Sequence, residues 1–205
     1  MDLDEVDRKL ILHLVKDGRA TLKELSDAIG YTSMGVKKRL NRLLKQELLK
    51  VSASVNLDKM NWVSMLIFME VVDKDSMYSI LNRFRECPRV VWLFPALGGY
   101  NLIAFIVAED YRTLHCISSE GCSMRGLNGV RRIEFYPISS ILYEPFIPLR
   151  LNLAYRNLDK PPCGIECPPC RSYIEGKCVG CPATKFYRYR WGLGKRSRRA
   201  RTRGV

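Results

Sequence analysis

Five cysteines near the end of the 205-residue chain carry the densest chemistry: Cys163-x3-Cys167-x2-Cys170-x7-Cys178-x2-Cys181. Two C-x2-C pairs, Cys167/Cys170 and Cys178/Cys181, are enough for a tetrahedral four-cysteine zinc site. A tight turn brings two thiolates to one metal, and Gly180 and the prolines around it suit such turns. A metal would also order a segment that has few core hydrophobics of its own. Thiolates equally hold iron–sulfur clusters, and a fifth cysteine leaves one to spare for redox chemistry. The expected cofactor is therefore zinc, with an iron–sulfur cluster as the alternative. The candidate ligands are Cys163, Cys167, Cys170, Cys178 and Cys181, without a choice of which four. Cys87, Cys116 and Cys122 are scattered and read as core or helix residues. The chain begins with acidic residues and has no apolar run approaching the ~20 residues of a membrane helix. It is expected in the cytoplasm, where cysteines are thiols or metal ligands rather than disulfides.

The second constellation is cationic. Between Thr21 and Leu49 two short amphipathic segments meet at a tight turn. Thr21 and Glu24 form a capping box, and Leu22, Leu25, Ala28 and Ile29 make one apolar face. Gly30 ends that helix, and Thr32 or Ser33 caps the next. Val36, Leu40, Leu43 and Leu44 fall at helical spacing and are expected inward, leaving Lys37, Lys38, Asn41, Arg42 and Lys45 outside. That is a helix-turn-helix, whose second helix enters the major groove of double-stranded DNA. Ser33, Met34 and Asn41 are the candidate base readers, and Lys37, Lys38 and Arg42 the candidate phosphate contacts.

These residues need elements to hold them. A first helix over about 4–17, with Val6, Leu10, Ile11 and Leu14 as its stripe, would pack across the pair. Residues 48–55 alternate and predict one or two short strands, the wing of a winged helix-turn-helix spanning 1–55. A linker follows at 56–61. From 62 to 145 the pattern is strand, helix, strand, strand, helix, strand: 62–72, 75–86, 90–97, 100–108, 110–125 and 130–136. This is a ferredoxin-like βαββαβ domain, so the fold class is α+β. Its first strand puts Val63, Met65, Ile67 and Met69 on one face and Leu66 and Phe68 on the other. The third is apolar on both faces too. Helices cover one face of such a sheet, so the other is expected against a second copy, giving a homodimer or higher even oligomer. A connector at 146–162, the Cys-rich metal-binding segment at 163–184 and a basic tail at 185–205 complete the order.

Charge follows the same division. The chain has 34 Lys and Arg against 21 Asp and Glu. Nine of the cations and no acid lie from Ala183 onward. Interleaved with Phe186, Tyr187, Tyr189 and Trp191, they suit a nucleic-acid backbone, cations for phosphates and rings for stacking. His13, expected half-buried and structural, and His115, expected solvent-facing, are the only histidines.

The run Leu3-Asp4-Glu5-Val6-Asp7-Arg8-Lys9-Leu10-Ile11, with Gly18-Arg19, Leu22 to Gly30 and Arg39-Leu40-Asn41-Arg42-Leu43, resembles the leucine-responsive/asparagine regulator (Lrp/AsnC) family of transcription factors. The resemblance covers residues 2–145, roughly 70% of the chain. It implies promoter binding, a dimer or higher assembly, and a small-molecule effector near the loop Gly98-Gly99-Tyr100-Asn101. Two departures stand out. Glu47 replaces the glycine usual before the wing, and the loop lacks the usual carboxylate. The function so read is a sequence-specific DNA-binding transcriptional regulator, not an enzyme. The alternatives are a haem-precursor decarboxylase-like enzyme, as some relatives are, or a metal or redox sensor using the Cys-rich segment.

Overall fold

The computed structural model describes residues 3–119 and 124–189. Cys122 and the tail beyond Tyr189, Trp191 included, lie outside the described residues. The chain divides into two compact units, residues 1–53 and 54–205.

The first unit is three helices: α1 (Glu5–Lys16), α2 (Leu22–Ile29) and α3 (Ser33–Lys45). Each start is a side-chain cap. Asp4 and Asp7 form a capping box on α1, Thr21 and Glu24 another on α2, and Thr32 accepts from the Gly35 amide at α3. Gly30 stops α2 at φ +71°, the left-handed geometry that costs glycine least. Leu10, Leu14, Leu25, Val36 and Leu43 fill the core, with Ile11, Leu22, Ile29 and Leu40 at its edge. Leu44, expected inward, is 38% exposed.

The expected wing is not formed. Residues 49–54 hold no regular structure, and the only strand there, β1 (Val55–Asn56), belongs to the second unit. The turn after α3 is closed instead by Glu47 at φ +56°, with the Glu47 amide donating to Leu44 O and the Leu48 amide to Leu43 O. Glu47 thus takes the left-handed conformation that a glycine would adopt at less cost.

The second unit is the βαββαβ domain with additions. After β1 come α4 (Leu57–Met60), β2 (Val63–Val71), α5 (Lys74–Phe84), β3 (Val90–Pro95), β4 (Leu102–Ala108), α6 (Tyr111–Ser119), β5 (Val130–Ile138), β6 (Phe146–Ile147) and α7 (Arg171–Ile174). The sheet is antiparallel in the order β3-β4-β2-β5, with Ile67 opposite Ala104 and Phe135. One face carries Met65, Ile67, Met69, Leu102, Ala104 and Ile106, buried with Ile80 and Phe84 of α5 and Leu114 of α6.

The stretch read as a linker is instead part of this unit. β1 pairs with β6, Val55 opposite Ile147, and Leu57 of α4 is 1% exposed. Leu57, Trp62 and Ile147 pack on Phe105 and Val107, so the chain itself covers one end of the second sheet face. The other end stays open, with Trp92 43%, Phe94 44% and Tyr136 52% exposed.

Candidate functional site

α3 presents its polar face by simple helical arithmetic. Met34, Lys37, Lys38, Asn41 and Lys45 recur at i, i+3, i+4, i+7 and i+11, opposite buried Val36 and Leu43. All five are exposed, as is Ser33 in the first turn. Arg42 is placed differently from the expectation. Its Nη2 pairs with Asp7 Oδ2 of α1, and Asp7 is only 1% exposed. Arg39 Nη1 reaches the other oxygen of Asp7 at 3.0 Å and also pairs with Asp4. Arg39 lies over the Tyr31 ring, 5.4 Å from its centroid. The two arginines therefore fasten α3 to α1. The side chains left unpaired on the outward face are those a major groove would meet: short or flexible readers flanked by lysines.

Asp7 is the residue sequence reasoning missed. An Asp in the first turn of a helix reads as a favourable N-terminal charge, which it also is, since its carboxylate completes the α1 capping box. Its position three residues before Leu10 on the inward stripe was the signal that it points into the bundle.

The loop expected to hold an effector is partly committed to structure. The Asn101 carboxamide accepts from the Val71 amide and donates to Val71 O, both at 2.8 Å, closing the end of β2. Gly98 has φ +145°. Tyr100 sits over a polar cluster. Arg132 lies 5.2 Å from its ring centroid, and Arg132 and the Tyr136 hydroxyl both bond Glu134. Hydrogen bonding within this cluster holds the Glu134 carboxyl below its ordinary range, while burial raises Tyr100 to about 12. Leu66, Phe68, Tyr100, Glu134 and Tyr136 line a shallow recess on the open sheet end.

The Cys-rich segment is not a separate appendage. It lies in the second unit, bound through a buried network. Arg89, at the start of β3, donates to Glu109 at 2.7 Å and to Gly180 O at 2.8 Å, and the Tyr187 hydroxyl donates to the other Glu109 oxygen at 2.7 Å. Burial works against the Arg89 charge, but the Glu109 carboxylate outweighs it and holds Arg89 firmly protonated. Gly180 sits at φ +86°, where a Cβ would come 2.6 Å from Phe186 O. Only glycine fits that turn. None of the seven described cysteines is in a disulfide. Among the described residues no three His, Cys, Asp or Glu side chains converge on one point as a metal requires.

The aromatic residues read as the start of a nucleic-acid tail are instead used by the body. Tyr187 is tied to Glu109. Tyr189 meets Trp62 edge-on at 6.0 Å. Tyr173 donates to Phe186 O at 2.8 Å, and Arg188 stacks on Tyr173 at 3.7 Å. His13 is half-buried and His115 exposed, as expected. No helix of the described residues is long and apolar enough to cross a membrane.

Capped helices, a glycine turn and a bare basic helix face define a helix-turn-helix DNA-binding protein joined to a ferredoxin-like domain. Comparison with known proteins sharpens the class. Residues 3–44 match the AsnC-type helix-turn-helix domain. The chain is 26% identical over 141 residues to an uncharacterised HTH-type transcriptional regulator of Pyrococcus furiosus, covering 68% of this chain and 94% of that one. It is 27% identical over 128 residues to the HTH-type transcriptional regulator FL11 of Pyrococcus horikoshii, covering 62% and 85%. Its fold matches the structure of E. coli AsnC with a TM-score of 0.61 at 13% identity, over 69% of this chain and 95% of that one. The chain thus carries an AsnC-type helix-turn-helix domain, is similar over about two thirds of its length to HTH-type transcriptional regulators, and is a DNA-binding transcriptional regulator.

Proposed function

We propose that this regulator reads specific promoter sequences as a homodimer, with Ser33, Met34 and Asn41 at base edges and Lys37 and Lys38 on the flanking phosphates. The observation that carries the reading is the outward face of α3, free of internal partners while Arg39 and Arg42 are engaged by Asp4 and Asp7. Two such helices related by a two-fold would meet half-sites about one helical turn of DNA apart, roughly 34 Å. The open end of the sheet supports the pairing. Trp92, Phe94 and Tyr136 form an exposed apolar patch beside Phe68 and Ile103, of the kind that self-association buries. The recess at Tyr100 and Glu134 lies on that same face, so an effector held there would sit where two copies meet. Selection of bound sequences from a random duplex pool, with wild type and the Lys37→Ala/Lys38→Ala variant side by side, tests the assignment. A palindromic consensus is expected, bound more weakly but with unchanged sequence by the variant. A pool that never enriches would refute specific reading.

A further inference from the structure

The sequence points to five clustered cysteines, and the fold adds a sixth from elsewhere. Cys87, between α5 and β3, lines one cavity together with Cys163, Cys167, Cys170, Cys178 and Cys181. The cavity sits between the helix side of the sheet, at Ile67, Phe84 and Ile106, and the C-terminal segment that closes over it. Its volume, about 80 Å³, is several times the ~10–15 Å³ that one water needs. It can take a metal ion with its thiolates but has no room for a tetrapyrrole.

Two further features suit thiolates around a cation. The Gly180 amide donates to Cys178 Sγ at 3.5 Å, the arrangement of a tight turn folded round a sulfur. Arg89 itself stands in the cavity wall, a buried cation beside what would be a dianionic zinc–thiolate centre. The sulfurs do not converge on one point here. They share one cavity, however, and a change of χ1 well re-aims each of them without moving the backbone.

We propose that this cavity is a four-coordinate zinc site, its thiolates drawn from these six cysteines with Cys87 among them. The metal then joins the C-terminal segment to the junction of α5 and β3, rather than folding that segment on its own. The choice of zinc follows from the paired C-x2-C spacing and an all-sulfur donor set.

The test uses full-length protein purified without added metal. Elemental analysis is expected to find one zinc per chain, and cobalt(II) replacing it to give thiolate charge-transfer bands. Cys87→Ser is expected to speed zinc loss to a chelator by about tenfold or more, the size of effect seen for perturbed metal sites. Cys116→Ser, which removes a thiol that does not line the cavity, should leave the rate unchanged. Should Cys87→Ser fail to fold, alkylation mapping of the wild type decides: Cys87 is protected in the zinc form and modified after chelation. Iron with acid-labile sulfide overturns zinc. Metal-free protein whose six cysteines alkylate readily overturns the site, and alkylation of Cys87 that ignores zinc overturns its place in it.

Discussion

At Asp7 a carboxylate 1% exposed holds the guanidinium groups of both Arg39 and Arg42. Removing it leaves Arg42 without its counter-charge and Arg39 with Asp4 alone. Asp7→Ala is expected to destabilise the helical unit by about 1–3 kcal/mol, the cost of stranding charged hydrogen-bonding groups. Thermal melting of the whole chain reads the loss. On the outer face the expectation is different in kind. Lys37→Ala and Lys38→Ala should leave the melting temperature within the small range of surface changes. Each should instead lower affinity for all duplexes and reduce the slope of log K against log salt by about 1. Arg42→Ala should behave like Asp7→Ala, losing stability first, because its guanidinium is already paired with the buried Asp7 carboxylate.

At the scale of elements, Glu47 makes the sharpest case. It closes the turn after α3 at φ +56°. A glycine there avoids the Cβ strain, so Glu47→Gly is expected to stabilise the first unit by about 0.5–1 kcal/mol, measured by denaturant unfolding. The sheet gives a second contrast. Phe105 is 7% exposed and packed under Trp62, Leu57 and Ile147 of its own chain, so a charge there should unfold the domain. Phe94 is 44% exposed, so Phe94→Glu should leave the monomer folded but dissociate the proposed dimer in sedimentation. The helices, their caps and the βαββαβ order were legible in the sequence because periodicity and capping are local. What was not legible is long-range. The pairing of Val55 with Ile147 turned a supposed wing and linker into part of the second unit, and no local pattern announces a two-residue strand whose partner lies some ninety residues away. Arg89, Glu109 and Tyr187 are also far apart in sequence, so the docking of the C-terminal segment, and with it the company Cys87 keeps, could be seen only in three dimensions.

Across the whole molecule, the boundary between body and tail has moved. Residues 185–189 belong to the body, since Tyr187 and Tyr189 are tied to Glu109 and Trp62. Truncation after Thr184 should therefore cost stability. Truncation after Tyr189 should spare the fold while removing seven of the chain's cations, lowering affinity for specific and random DNA by a similar factor at low salt. Equal melting temperatures for the two truncations would contradict that boundary. Whether the bare face of α3 meets DNA is read by one titration series. Fluorescence anisotropy of a selected duplex is followed across a range of salt for wild type and for the Lys37→Ala/Lys38→Ala variant. Weaker binding by the variant is expected, with a salt slope smaller in magnitude by about 2, one for each lost phosphate contact, at an unchanged melting temperature. Affinity and slope that both match the wild type would contradict that contact, because α3 would then lie outside the interface.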